Sequence, residues 1–191
     1  MNRPEMESVL KIRDCFTLLR RWIADERATA FTEGVVLLPV LSVLLMGCFD
    51  IGQAIAVNQK TIGASQMIGD LIARDRSVTM SGLEDIIKAG ELAIEPYSSR
   101  PFGYDIASIE FDDGGDPEIL WRVTRGTSPN DSAVQSTEGI GSPGDGVIVV
   151  TAAYRYTPYF YKFLMNEIEM KEVAFLHGRR SATVVCGDCA S

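Results

Sequence analysis

Gly34–Phe49 reads GVVLLPVLSVLLMGCF and carries no charge; Glu33 stands before it and Asp50 after it, and IGQAIAVNQ then runs on to Lys60. As a helix, the residues between Glu33 and Lys60 would rise about 39 Å at ~1.5 Å per residue. A hydrocarbon layer is about 30 Å thick. The stretch therefore predicts one membrane-embedded helix near the N-terminus, with the span at 34–57. Proline removes a backbone donor, so Pro39 is expected to bend it. Gly47, Gly52 and Ala56 are small, and another helix can approach closely over them.

The rest of the chain is mostly polar. About 130 residues follow Val57, enough for one small domain with its own core. The net charge is −8; residues 1–28 hold six Lys/Arg and five Asp/Glu, which leaves −9 on the remainder. An acidic domain cannot neutralise phosphates along a face, which excludes nucleic acid, and anionic lipid is an equally poor partner. Cys186 and Cys189 form a CxxC near the C-terminus. With one distant histidine, His177, they do not supply four zinc ligands, and no metal or other cofactor is expected. Outside the cytoplasm the pair is either a local disulfide or two free thiols. A thioredoxin-type site needs a βαβ setting that is missing here.

Upstream, Val9, Ile12, Phe16, Leu19 and Ile23 recur three or four apart, with Lys11, Arg13, Arg20, Arg21 and Arg27 on the other face. This predicts an amphipathic helix over 6–27, a leader or cytoplasmic segment resting on a membrane surface. Three frames compete for the apolar run. A secretory signal would use Ala54-Ile55-Ala56 as its cleavage site and release a periplasmic binding or redox protein. A lipoprotein signal would acylate Cys48 within Leu45-Met46-Gly47-Cys48. Both need a short basic segment ahead, whereas more than thirty residues precede the run and Glu33 adjoins it. A retained helix accounts for that carboxylate. It also accounts for the continuation KTIGASQMIGDLIARDR, in which Ala64, Met67, Ile68, Leu71 and Ile72 keep helical spacing. One long helix over 29–76 is the expectation.

ATAFTEGVVLLPVLSVLLMGCFDIGQAI resembles the N-terminal region of TadE-like pseudopilins, components of the tight-adherence (Flp-type) pilus assembly machinery of bacteria. Glu33, Pro39, Asp50 and Gly52 stand at the places of that pattern. QKTIGASQMIGDLIARD, AAYRYTPYF and GRRSATVVC resemble later segments of the family, so the likeness runs from about residue 20 onward. Ala28 stands where the family usually has glycine, and Gly34 where an aromatic is usual. The resemblance implies cleavage by a prepilin peptidase between Ala28 and Thr29. It also implies that Glu33 pairs with the free amine of a neighbouring subunit. The dipole at a helix N-terminus favours a carboxylate there even without a partner.

From Ser77 the pattern is that of a small α+β domain. Ser81-Gly-Leu-Glu84 reads as a capping box opening a helix to about Ile94, with Leu83, Ile86, Ile87 and Leu92 on one side. Tyr104–Phe111 alternates as a strand, Asp112–Asp116 turns, and Ile119–Thr124 returns with Ile119, Trp121 and Val123 on one face. A solvated hairpin, rather than a calcium site, is expected at that turn. Residues 125–146 are rich in Ser, Gly, Thr and Pro and predict a long exposed loop. Val147–Tyr156 is apolar on both faces and suits a central strand. Thr157-Pro158 predicts a short helix. Tyr154, Tyr156, Tyr159, Phe160, Tyr161 and Phe163 form an aromatic cluster, read first as core and second as a patch for a pilin neighbour or the membrane surface. Glu167–Leu176 predicts an edge strand, and Ala182–Cys186 a last one.

No spacing of acids, nucleophiles or glycines supports catalysis. The expected fold is α+β: a long membrane-spanning N-terminal helix, then a small antiparallel sheet with one or two packed helices, pilin-like. The expected role is structural, as a minor pilin-like subunit or membrane-anchored assembly factor. Its partners would be membrane lipid, other pilin-like subunits, the inner-membrane assembly platform and a prepilin peptidase. The expected location is the bacterial inner membrane, crossed once, with the 77–191 domain periplasmic or carried into the extracellular pilus. The count of Lys and Arg on either side of the span leans the same way.

Overall fold

The computed structural model describes residues 17, 26–160 and 167–189. The chain divides into two compact units, residues 1–49 and 50–191. The helix expected over 6–27 falls almost wholly outside the described residues.

Helix α1 spans Glu26–Ala73, with Pro39 inside it. Its start lies three residues before the expected one and its end three residues before. From Phe31, α1 is long and apolar enough to cross a membrane, by length and composition. Over 31–49 its side chains are exposed, with Ser42 and Gly47 half-buried. Ser42 is satisfied within the helix, its hydroxyl donating to the Leu38 carbonyl at 2.7 Å. Within the expected span of 34–57, Ile51 and Ile55 stay exposed, while Val57 is wholly buried in the core of the 50–191 unit. From Phe31 on, Asp50 is the first buried residue of α1, and exposed Ile51 and Ile55 follow it on the other side of the helix.

In the 50–191 unit, α1 turns one stripe inward: Val57, Thr61, Ala64, Ile68 and Ile72. Their spacing of three or four is one helical face. Met67, expected on that face, is largely exposed. Buried Thr61 returns its hydroxyl to the Val57 carbonyl at 3.0 Å, so its burial leaves no polar group unpaired. After α1 come β1 (Ser77–Val78) and α2 (Met80–Ala93). The N-cap of α2 is Thr79, not the expected Ser81. Thr79 has extended backbone angles, and its Oγ1 accepts the Gly82 N–H at 3.2 Å. Ser81 is already inside the helix, its Oγ 3.1 Å from the Thr79 Oγ1. Leu83 and Ile87 face the core as expected, whereas Leu92 is exposed. Gly90 is buried where α2 meets α1; a Cβ there would lie 2.5 Å from the Ile68 Cδ1.

A four-stranded antiparallel sheet comes next in the chain, in the order β3-β2-β4-β5. Its strands are β2 (Phe102–Phe111), β3 (Pro117–Arg125), β4 (Gly146–Tyr156) and β5 (Ile168–His177). β2 and β4 are central and buried on both faces, and Ile106 pairs with Val123 on one side and Val150 on the other. The alternation expected in β2 is therefore absent: both faces are apolar, and each buries one polar side chain, Asp105 beside Ala107 and Ser108 beside Ile106. β3 shifts register between Ser108 and Ile109, where Ser108 faces Trp121 but Ile109 faces Ile119. The extra residue, Leu120, puts Ile119 on the opposite face from Trp121 and Val123. Ile119 is accordingly half out in solvent.

One sheet face packs on α1 and α2 through Ile106, Ile148, Val150 and Ala152. The other holds Ala107, Ile109, Phe111, Val147 and Val149 under α3 (Asp131–Gln135), which contributes Ala133 and Val134. The segment 125–146 is therefore not simply an exposed loop; its middle is a lid of core. Residues 157–160 are irregular, and the continuation of the helix expected from Pro158 lies outside the described residues, as do Tyr161 and Phe163. The last strand is shorter than expected: β6 (Val185–Cys186) pairs in parallel with β1.

Candidate functional site

Glu33 is exposed on the first unit's helix. Ala28 and Thr29 lie within the helical backbone of α1. Gly52 and Ala56 are exposed, and a Cβ built on Gly34 or Gly52 would meet nothing within 4 Å. These small residues leave surface that their own surroundings do not fill. Cys48 is an exposed free thiol.

At the start of the second unit Asp50 does more than its sequence position announces. Its carboxylate oxygens accept the backbone N–H groups of Tyr159 and Phe160, each at 3.0 Å. Its carbonyl accepts the Tyr156 hydroxyl at 3.4 Å. One helical turn on, Gln53 accepts from the Tyr97 hydroxyl at 2.9 Å. Tyr154 donates to the Ser98 carbonyl at 3.0 Å. Burial raises the Tyr156 phenol above its ordinary pKa, and the Asp50 charge adds to the rise. Tyr154 and Tyr156 are core, as the first reading of the aromatic cluster has it, while Tyr159 and Phe160 are exposed. Sequence singles out Asp50 only as part of the family pattern. A lone acid in an uncharged run is the signal it offers.

A second carboxylate, Asp105 in β2, organises the opposite sheet face. It takes two hydrogen bonds from the Arg122 guanidinium, at 2.8 and 2.6 Å, and one from the Asn130 N–H at 2.8 Å. Thr124 donates a further one. Burial alone would raise the Asp105 pKa, but these bonds and the Arg122 charge outweigh it and hold the carboxyl below its ordinary value. Arg122 reaches on to Asp131 at 2.6 Å. Asn130 caps α3, accepting the Ala133 N–H at 3.3 Å. The cluster thus clips α3 to the sheet, and its polar atoms are consumed in doing so. Sequence reasoning misses it, since the partners come from two strands and a loop.

Cys186 and Cys189 are joined in a disulfide, one of the two states left open by the spacing. Asp188 lies beside them, close enough for a three-ligand metal set. That set is spent: the sulfurs are bonded to each other and Asp188 accepts the Met80 N–H at 2.7 Å. The C-terminal segment is thereby tied to the first turn of α2. At the acidic turn, one Asp112 oxygen accepts the N–H groups of Gly114 and Asp116, both at 2.8 Å, so it serves the hairpin itself. The Nδ1 of His177 lies 3.2 Å from the Gly146 carbonyl at the edge of the sheet.

A long apolar N-terminal helix whose later turns pack on a four-stranded antiparallel sheet with short helices is a pilin-like α+β architecture. No protein-family model, curated protein or solved structure matches this chain.

Proposed function

We propose that this chain is a membrane-anchored, pilin-like subunit of a tight-adherence pilus or of its assembly machinery, TadE-like in kind and without catalysis of its own. The observation that carries the reading is the bare surface of residues 31–49, uncharged from Gly34 on and charged before it only at Glu33. That run rises about 28 Å at ~1.5 Å per residue, close to a hydrocarbon thickness of about 30 Å. In water such a surface is a liability; lipid and neighbouring apolar helices cover it. The likeness of this stretch to TadE-like pseudopilins adds the particulars. A prepilin peptidase cuts between Ala28 and Thr29, and Glu33 pairs with the new amine of a neighbouring subunit, since a carboxylate in lipid is costly unless paired. Gly47, Gly52 and Ala56 offer contact to adjacent helices. The N-terminus is cytoplasmic and the sheet domain periplasmic. Release after Ala56 fits worst, because it would remove Asp50 and Gln53, both hydrogen-bonded into the domain.

Mass spectrometry of the native protein tests this. A mature N-terminus at Thr29 is expected. An acylated Cys48 or a start at Val57 would overturn the proposal, and an uncut chain would remove the amine-pairing role. Glu33→Ala should stay in the membrane fraction yet co-purify poorly with the assembly; undiminished co-purification would refute the pairing.

A further inference from the structure

We propose that the loop carrying Tyr159 and Phe160 rests in the headgroup layer of the same bilayer that α1 crosses, with these two rings as its interfacial anchors. The inference depends on the membrane-spanning reading of α1. Its first support is a tether. The N–H groups of Tyr159 and Phe160 are bonded to the Asp50 carboxylate, and Asp50 directly follows Phe49, the last residue of the uncharged run that opens at Gly34. Whatever tilt the helix takes, this loop stays within hydrogen-bond reach of Asp50.

The second support is chemical. Tyr159 is 64% exposed and Phe160 48%. Exposed aromatic rings are poorly placed in water but favoured at a membrane interface, where an apolar ring and a polar tip both find partners. Beside them a concavity of about 300 Å³ is lined by Pro96, Tyr97, Tyr154, Arg155 and Tyr159. The backbone N–H of Arg155 bonds the Pro101 carbonyl at 3.2 Å and closes one wall of it. The net negative charge of the remaining domain selects zwitterionic over anionic lipid.

The test uses the full chain in phosphatidylcholine vesicles, with Cys15→Ser and Cys48→Ser as background and no reductant, so that the Cys186–Cys189 disulfide stays closed. Nitroxide labels go on Leu44→Cys, Tyr159→Cys, Phe160→Cys and Ile140→Cys, one at a time, and oxygen and nickel-chelate accessibilities report depth. Leu44 should read as hydrocarbon, Ile140 as water, and 159 and 160 as intermediate, with nickel accessibility several-fold below that at 140. Water-like values at both 159 and 160, with Leu44 in hydrocarbon, would overturn this inference and leave the spanning reading intact. Water-like values at Leu44 would overturn both. Spin–spin broadening at 160 that disappears on dilution with unlabelled protein would assign the patch to a second copy and also overturn it. Phe160→Trp gives an independent readout: emission added over wild type should be blue-shifted and quenched by lipids brominated near the headgroup, and no quenching counts against the anchor.

Discussion

Two carboxylates carry the polar architecture of the 50–191 unit, and each makes a distinct prediction. Asp50 is buried and satisfies two backbone donors. Asp50→Ala leaves both amides without their acceptor, at a cost of about 1–3 kcal/mol. The expected outcome is a lower Tm and faster amide exchange at Tyr159 and Phe160; unchanged exchange there would show the tether to be unimportant. Asp105 is held ionised by Arg122, Thr124 and Asn130, with its pKa below the ordinary 3.8. A depressed carboxylate contributes stability that is fully present above the unfolded pKa and lost as pH falls through the lower folded value. Asp105→Asn should therefore cost on the order of 3 kcal/mol at neutral pH, by leaving Arg122 half-paired in a largely buried site. The gap between wild type and variant should narrow below about pH 4. Denaturant midpoints measured from pH 2 to 7 check the sign; a gap that widens in acid would refute the assignment.

Among the elements, α1 and α2 cross at a contact with no spare room. Gly90 sits where a Cβ would press on the buried Ile68 side chain. Gly90→Val adds two further carbons at a contact that has no room, for an expected loss of about 1–3 kcal/mol despite the helix propensity regained. Gly82, whose would-be Cβ meets only the Thr79 Oγ1 at 3.4 Å, is the control: Gly82→Ala should change the unfolding midpoint little. Thermal unfolding of both distinguishes a packing glycine from an incidental one. The α3 segment makes the complementary point. Its burial of Ala133 and Val134 depends on the Asp105 clip and not on helix propensity, because so short a helix is not stable alone.

The whole molecule falls into two units with different surfaces, the first largely apolar and exposed. Both core clusters draw only on residues from Ala54 onward, and the Asp50 bonds begin at the same boundary. A fragment of residues 50–191 should therefore unfold cooperatively and remain dispersed without detergent, whereas the full chain should require detergent or lipid. Near-UV circular dichroism and light scattering check both; a fragment without fixed tertiary signal would show that the first unit is needed for folding. Much of this is legible in the chain: the uncharged run, the helical stripe Ala64–Ile68–Ile72, the doubly apolar β4 and the edge strand β5 all derive from periodicity and local chemistry. The features that escape such a reading depend on residues distant in the chain. The cap moves to Thr79 because backbone angles, not the Ser-Glu spacing, choose the N-cap. Ile119 leaves its expected face because a single bulge reverses a period of two. Segment 125–146 acquires a helix, and Asp50 and Asp105 acquire their partners, because a buried carboxylate takes whichever donors folding brings to it. Pattern along the chain thus sets which segments are helix, strand and membrane-length apolar run, since these obey local periodicities. Which face of α1 the core takes beyond Asp50, and which loops the buried acids hold, are non-local matters, settled when strands and helices meet.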